Sequence, residues 1–269
     1  MDTAKLICFL VACVCFVRGL KMLGRTETAR RGNWVSAAGM AAAVLGAFLS
    51  VYGREGGGGY GFAYLGFIGA GLAAGGLIGA VAAKRVQMTA IPEMVALFNG
   101  FGGAASLMVA GAQLHFQSRF AAAPMGVFEA VTVYLAMMIG GVTFSGSLVA
   151  YGKLGGKIPS RPLRYAGQHL VNGLVFVVLA AGGAVFGIEL QAGWLFLAAV
   201  ALSLVFGAAA VLPIGGADMP VTISLLNAFS GLAACAAGFA VSNVLLIITG
   251  ALVGASGTIL TRIMCKAMN

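Results

Sequence analysis

Gly215-Gly216-Ala217-Asp218-Met219-Pro220, running into Val221–Gly231, is the stretch on which the reading of this chain turns. It holds one of only seven acidic residues, beside a proline suited to the first turn of a helix. Asn227 follows seven positions after Pro220, inside an otherwise apolar run. A related arrangement stands earlier, in Ile91-Pro92, then Asn99, Phe101 and Gly103. Both pieces read as the start of a membrane helix carrying one buried polar group. A polar group in hydrocarbon is costly and usually functional.

Composition supports a membrane setting. The 269 residues are 61% hydrophobic and 9% charged, with mean hydropathy +1.02. A soluble domain carries roughly 25% charge, so a water-soluble core is excluded. The 42 glycines suit close helix packing in lipid. Cys8, Cys13, Cys15, Cys235 and Cys265 lie in or beside apolar segments without a CxxC pair, and read as small buried residues. The apolar run from Leu6 to Val17 lacks a sizeable basic flank and a cleavage site. It reads as a first spanning helix, not a signal peptide.

A span takes about 20 apolar residues. The pattern predicts an all-α, polytopic bundle of nine transmembrane helices in a single transmembrane domain over 1–269. They lie near 4–23, 34–52, 61–83, 92–113, 125–151, 167–188, 191–212, 220–240 and 244–267. Turn formers separate them: Gly32-Asn33, Gly56–Gly59, Pro124, Pro159 and Pro162, Pro213, and Ser242-Asn243. Open sheet edges are forbidden in lipid. With the N-terminus outside, thirteen of the sixteen Lys and Arg residues fall on the cytoplasmic side, among them Arg30, Arg31, Lys153, Lys157, Arg161, Arg164 and Arg262. Only Lys5, Arg54 and Arg119 remain outside. That bias predicts an outside N-terminus and a cytoplasmic C-terminus. It also accounts for the net charge of +9 without nucleic acid.

A hairpin is repeated. Pro92-x6-Asn99-x-Phe101-x-Gly103 matches Pro220-x6-Asn227-x-Phe229-x-Gly231. Val142-x-x-Ser145-Gly146-Ser147-Leu148-Val149 matches Val253-x-x-Ser256-Gly257-Thr258-Ile259-Leu260. Internal repeats of this kind are common in transporters.

Each polar residue carries a bland reading beside a functional one. Asn99 and Asn227 should both face the bundle interior, as interhelical glue or as stations on a water or proton path. Neither amide titrates near neutral pH, so neither carries a proton. Ser224, Asn227, Gly231 and Gly238 share a helical face, as do Gly250, Gly254, Gly257 and Thr261; such small faces are more often packing seams than pores. Ser145 and Ser256 occupy equivalent repeat positions. Asp218, and Glu93 after Pro92, are either solvated acids at helix starts or contacts for a soluble partner. His115 and His169, the only histidines, fall at opposite membrane faces and can share no metal site. Gly69–Gly75 superficially resembles a dinucleotide-binding glycine pattern but sits mid-helix with no preceding strand. The Gly71-x3-Gly75-x3-Gly79 ladder reads as a helix-contact face, and Gly56–Gly59 as an outer loop. No catalytic triad, carboxylate pair or metal constellation is present in the pattern.

Six segments together resemble one family: Glu27–Gly32, Val95–Asn99, Gly141–Leu148, Gly167–His169, Gly215–Pro220 and Ile263–Asn269. The chain resembles, along nearly its whole length, the membrane domain of the beta subunit of proton-translocating NAD(P) transhydrogenase. The resemblance implies a Re/Si-specific enzyme complex that passes hydride between NAD(H) and NADP(H) and couples this to proton movement. It implies a multi-pass protein of the bacterial inner membrane. Its partners would be alpha-subunit membrane helices and soluble NAD(H)- and NADP(H)-binding domains, in a homodimer of such assemblies. The NADP(H) domain normally follows the last helix, so this chain, ending at Asn269, is expected to bind no nicotinamide cofactor and to be non-catalytic alone.

By the same resemblance, Asn227 matches a polar residue of the proton pathway, and Ser256 and Gly257 match the last-helix segment beside it. Asp218 matches an acid facing the NADP(H) domain, with Glu93 and Arg262 expected at the same coupling face. Asn99 departs from the family, many of whose members carry histidine there. No titratable residue reads as deep in this chain, so the expected proton carrier is a histidine on the partner alpha-side helices, facing Asn99 and Asn227. The rivals are a self-contained transporter or channel, favoured by the repeat, and a structural scaffold.

Overall fold

A computed structural model describes residues 2–52, 60–120, 123–188 and 193–268. Arg54 and the Gly56–Gly59 loop lie outside the described residues. Among those described, the chain is all-helical, with nine helices long and apolar enough to cross a membrane. They are α1 Asp2–Leu23, α2 Thr26–Tyr52, α3 Tyr60–Arg85, α4 Ile91–Phe120, α5 Val127–Leu154, α6 Gln168–Ile188, α7 Gly193–Val211, α8 Met219–Ala240 and α9 Val244–Met268. Single 3-10 turns, Met88–Ala90 and Gly216–Asp218, lead into α4 and α8. A helix satisfies its own backbone polar groups, which hydrocarbon cannot do.

Two helices run further than their apolar patterns. The expected turn at Gly32-Asn33 is helical, because α2 already begins at Thr26. Thr28 Oγ1 donates to the Met22 carbonyl at 2.7 Å, so the turn is confined to Gly24-Arg25. Helix α4 continues to Phe120, taking in His115 and Arg119. Its 30 residues span roughly 45 Å, more than the ~30 Å hydrocarbon core. Hydropathy marks only the part in lipid, while the helix continues into the polar boundary.

The chain divides by internal packing into two compact units, Met1–Val86 and Gln87–Asn269. In the first, α1 and α2 form an antiparallel hairpin seamed by glycines. A Cβ on Gly39 would lie 2.8 Å from that of Cys15, and one on Gly46 2.6 Å from the Phe9 ring. On the Gly71, Gly75 and Gly79 ladder of α3, expected to be a contact face, an added Cβ would meet no described residue within 4 Å.

In the second unit α5 and α8 are central, each with half of its most apolar stretch buried. Helix α5 packs against α4, α6, α7 and α8, and α8 also packs against α9 and α4. Two apolar clusters occupy the two ends of α5. One gathers Val133, Tyr134 and Met137 with Leu179, Phe186 and Phe196. The other gathers Val149 and Ala150 with Val211, Met219, Ile223 and Leu226. Between them α5 offers Gly140, Gly141, Thr143, Ser145, Gly146 and Ser147. This small, polar layer lets neighbouring backbones approach closely. A Cβ on Gly103 of α4 would come 2.7 Å from the Gly140 carbonyl. The repeated hairpin packs the same way: a Cβ on Gly231 would come 2.5 Å from the Gly254 nitrogen. The α8–α9 turn is short, with Ser242 at φ 53° and Asn243 Oδ1 accepting from the Leu246 amide at 3.2 Å.

Candidate functional site

Pro92 sits in the first turn of α4 and places Asn99 about two turns into the helix. The side chain is 9% exposed. Its Nδ2 donates to Ser147 Oγ of α5 at 2.9 Å, and its Oδ1 accepts from Ser230 Oγ of α8 at 2.8 Å. One amide thus ties three helices, using its donor and acceptor ends in different directions. Gly100, the next residue, makes room for this by letting Ser147 close in; a Cβ there would stand 3.3 Å from that of Ser147.

One turn of α5 away, Thr143 is fully buried and its Oγ1 has no hydrogen-bond partner. Most buried hydroxyls find one. Ser106 is also buried and donates to the Gly102 carbonyl at 3.3 Å. Ser203 of α7 is fully buried and bonds its own helix at Val200. Asn99, Ser147, Ser230 and Thr143 therefore form an uncharged polar layer that can orient water or a proton donor but cannot itself hold a proton near neutral pH.

The structure does not bring the remaining expected pathway residues to this layer. Asn227, the repeat counterpart of Asn99, is exposed on α8. The sequence expectation that both amides face the interior of the same bundle therefore holds for Asn99 alone in this chain. The cause is geometric. In the first hairpin α8 supplies the third helix, through Ser230; in the second, the seam is filled by Ala228 against Gly257, where an added Cβ would meet Ala228 at 2.9 Å. That turns Asn227 outward. Ser145 faces α7, packing on Gly207, and its hydroxyl bonds the Gly141 carbonyl at 3.1 Å. Ser256 is exposed and bonds its own helix at Val253. Ser224 and Thr261 do meet across the α8–α9 seam, at 3.0 Å.

Sequence reasoning missed Ser147 and Ser230. Ser147 lies within the repeated motif, but alignment with Ser256 points to Ser145. Two residues on a helix differ by about 200° in direction, enough to reverse the assignment.

The second group lies at the ends of α4, α5, α7, α8 and α9. Asp218 ends the 3-10 turn and is exposed, its carbonyl accepting from Thr222 Oγ1 at 3.1 Å. Glu93 is half-buried near Gly155, the C-terminal residue after α5. Arg262 is exposed near the end of α9. Lys153, counted from sequence among the cytoplasmic-side charges, is 1% exposed. Its ammonium donates to the carbonyls of Leu212 at 2.5 Å, Ile214 at 2.6 Å and Arg161 at 3.3 Å. The α5–α6 loop folds back to permit this, with Ile158 N bonding the Gly152 carbonyl at 2.9 Å and Gly156 at φ 69°. By contrast Lys157 stays at the surface, over the Tyr151 ring.

His115 and His169 are both exposed, the first late in α4 and the second at the start of α6. Among the described residues no group of three His, Cys, Asp or Glu side chains could hold a metal ion.

A family model described as NAD(P) transhydrogenase beta subunit matches residues 5–269. A protein named NAD(P) transhydrogenase subunit beta, from Rhodospirillum rubrum, is 40% identical over 264 residues, covering 97% of this chain and 55% of that protein. A second protein of that name and organism matches with the same figures. The chain spans about half the length of the curated relatives it matches.

Proposed function

The chain belongs to the NAD(P) transhydrogenase beta-subunit family, and from that premise we propose that it is the proton-conducting membrane part of such an enzyme. The observation that carries the proposal is the buried Asn99–Ser147–Ser230 junction, set in a layer of small residues between two apolar clusters. An amide held from both sides offers water a donor and an acceptor without trapping charge. The orphaned Thr143 hydroxyl beside it supports a hydrated layer.

The proton carrier comes from outside this chain. Asn227 is a polar group on the outward face of an apolar span, and in lipid such a group requires cover. The cover is a membrane helix of the alpha subunit that brings a histidine against Asn227, as α8 brings Ser230 against Asn99. Ser145 packs the α5–α7 seam and Gly257 the α8–α9 seam, while Ser256 is a second outward polar group, on α9. Protonation of the partner histidine shifts the ends of α4, α5 and α8. Asp218, Glu93 and Arg262 report that shift to an NADP(H)-binding domain, which exchanges hydride with an NAD(H)-binding domain. Neither nucleotide binds this membrane part. The assembly is a homodimer in the bacterial inner membrane, with the beta N-terminus outside and the membrane part's C-terminal end in the cytoplasm. Coupling of this kind needs two states with different contacts at both sites.

The test is proton flux in vesicles carrying the complete complex. Asn99→Leu and Asn227→Leu should each cut flux while the soluble domains still exchange hydride. Unchanged flux in Asn227→Leu would remove that residue from the path, and pumping by a complex without the partner membrane helices would remove the partner histidine. The like-packed hairpins also suit a self-contained transporter. Proton flux through vesicles containing this chain alone would favour that second reading.

A further inference from the structure

We propose that Lys153 is the mechanical joint between the polar layer and the Asp218 turn, a positioning residue for coupling; the inference rests on the function proposed above. An ammonium has three donors, and here all three meet backbone carbonyls, those of Leu212, Ile214 and Arg161. Leu212 and Ile214 follow the end of α7 and lead into the Gly216–Asp218 turn. A buried cation is tolerated only where its donors are satisfied. The side chain is thus committed to one arrangement of these segments, with nothing left to trade with water.

The backbone around it repeats the connection. Ser160 Oγ donates to the Lys153 carbonyl at 3.2 Å, and the Ser160 carbonyl accepts from the Gly216 amide at 2.8 Å. Leu163 N bonds the Leu212 carbonyl at 3.1 Å, the same carbonyl that Lys153 holds. A Cβ on Gly216 would crowd the Ser160 Cβ at 3.0 Å, so the glycine eases the close approach of the turn to Ser160. The turn bearing Asp218 is therefore fastened to the end of α5 rather than hanging from α7 and α8.

Ser147 stands six residues before Lys153 on the same helix, roughly 9 Å along its axis. A rigid helix passes any shift at the Asn99–Ser147 contact to the ammonium, and the ammonium passes it to the Asp218 turn. Glu93 reaches the same place from α4, its carboxylate lying against Gly155. Both acids expected at the coupling face thus border one joint.

The experiment compares Lys153→Met with the unaltered complete complex in vesicles. It reads protons moved per hydride transferred and amide hydrogen exchange over residues 212–218. The expected result is exchange faster by roughly tenfold in that segment and a proton-to-hydride ratio lower by about fivefold. A residue that only holds the fold together would lower both rates alike and leave the ratio unmoved. Ser160→Ala is the milder variant, and should change both readouts in the same direction by less. An unchanged ratio in Lys153→Met overturns the joint, and so does unchanged exchange. Should Lys153→Met fail to assemble, Ser160→Ala decides: a shift in both readouts upholds the joint, and no shift overturns it. An unaltered complex that moves no protons would sink the proposed function and the joint with it, whereas a pumping complex indifferent to Lys153→Met sinks the joint alone.

Discussion

Asn99 and Asn227 show how one residue type at equivalent repeat positions meets two different surroundings. Asn99 is buried and bonded to Ser147 and Ser230, so its removal is a stability event as well as a test of the proposed path. Asn99→Leu should destabilise the isolated chain in detergent by about 1 kcal/mol, the usual scale for an interhelical polar contact. Both serines can fall back on carbonyls of their own helices, which keeps the cost modest. Asn227 is exposed. Asn227→Leu should leave thermal unfolding of the isolated chain unchanged and show its effect only in the complete complex. Unfolding curves for the two variants, measured side by side, check the contrast. Equal losses would mean that Asn227 has a partner within this chain.

At the scale of the helix, glycine content alone does not tell a seam from an open face. Gly103 of α4 lies against Gly140, whereas a Cβ on Gly75 of α3 would meet no described residue within 4 Å, although both sit among small residues. Gly103→Val should force α4 and α5 apart and cost roughly 1–3 kcal/mol or more, because the obstruction is backbone that cannot rotate away. Gly75→Val should be tolerated by the isolated chain. Thermal unfolding in detergent measures both. A large loss from Gly75→Val would place a neighbour on α3 within this chain. The α4–α5 and α8–α9 pairs also show that the repeat conserves backbone approach more closely than polar pairing. Gly103 and Gly231 do the same job, but Asn99 and Asn227 do not.

For the molecule as a whole, charge placement argues orientation. Thirteen basic residues fall on one side of the predicted helix pattern and three on the other, which predicts a cytoplasmic end to α9. A membrane-impermeant thiol reagent applied to whole cells should leave Cys265, exposed near that end, unlabelled, and should label it in inverted vesicles. Labelling in whole cells would reverse the topology. Lys153 refines this argument. It counts toward the bias, yet it is buried and serves as a hydrogen-bond donor to three carbonyls. A positive charge at the end of an apolar run can thus be a structural tie as well as an orientation signal.

The nine helices of the described residues, their order and the repeated hairpin were legible in the residues alone, because hydrocarbon leaves a chain this apolar little alternative to helices. The Pro92-to-Asn99 and Pro220-to-Asn227 spacings marked where polar groups enter the spans. The partners of those groups were not legible. Whether Asn99 meets Ser147 or Ser145, and whether Asn227 points inward at all, depends on rotations of about 100° per residue between helices far apart in sequence. Lys153 reads only as one more cytoplasmic-side charge until Leu212 and Ile214, some sixty residues later, are folded against it. The sequence determined what each segment must be, since that requirement is local and set by the solvent. Only the tertiary structure decided which face meets which neighbour, since that is settled by close packing between segments and by the need of each buried polar group for a partner.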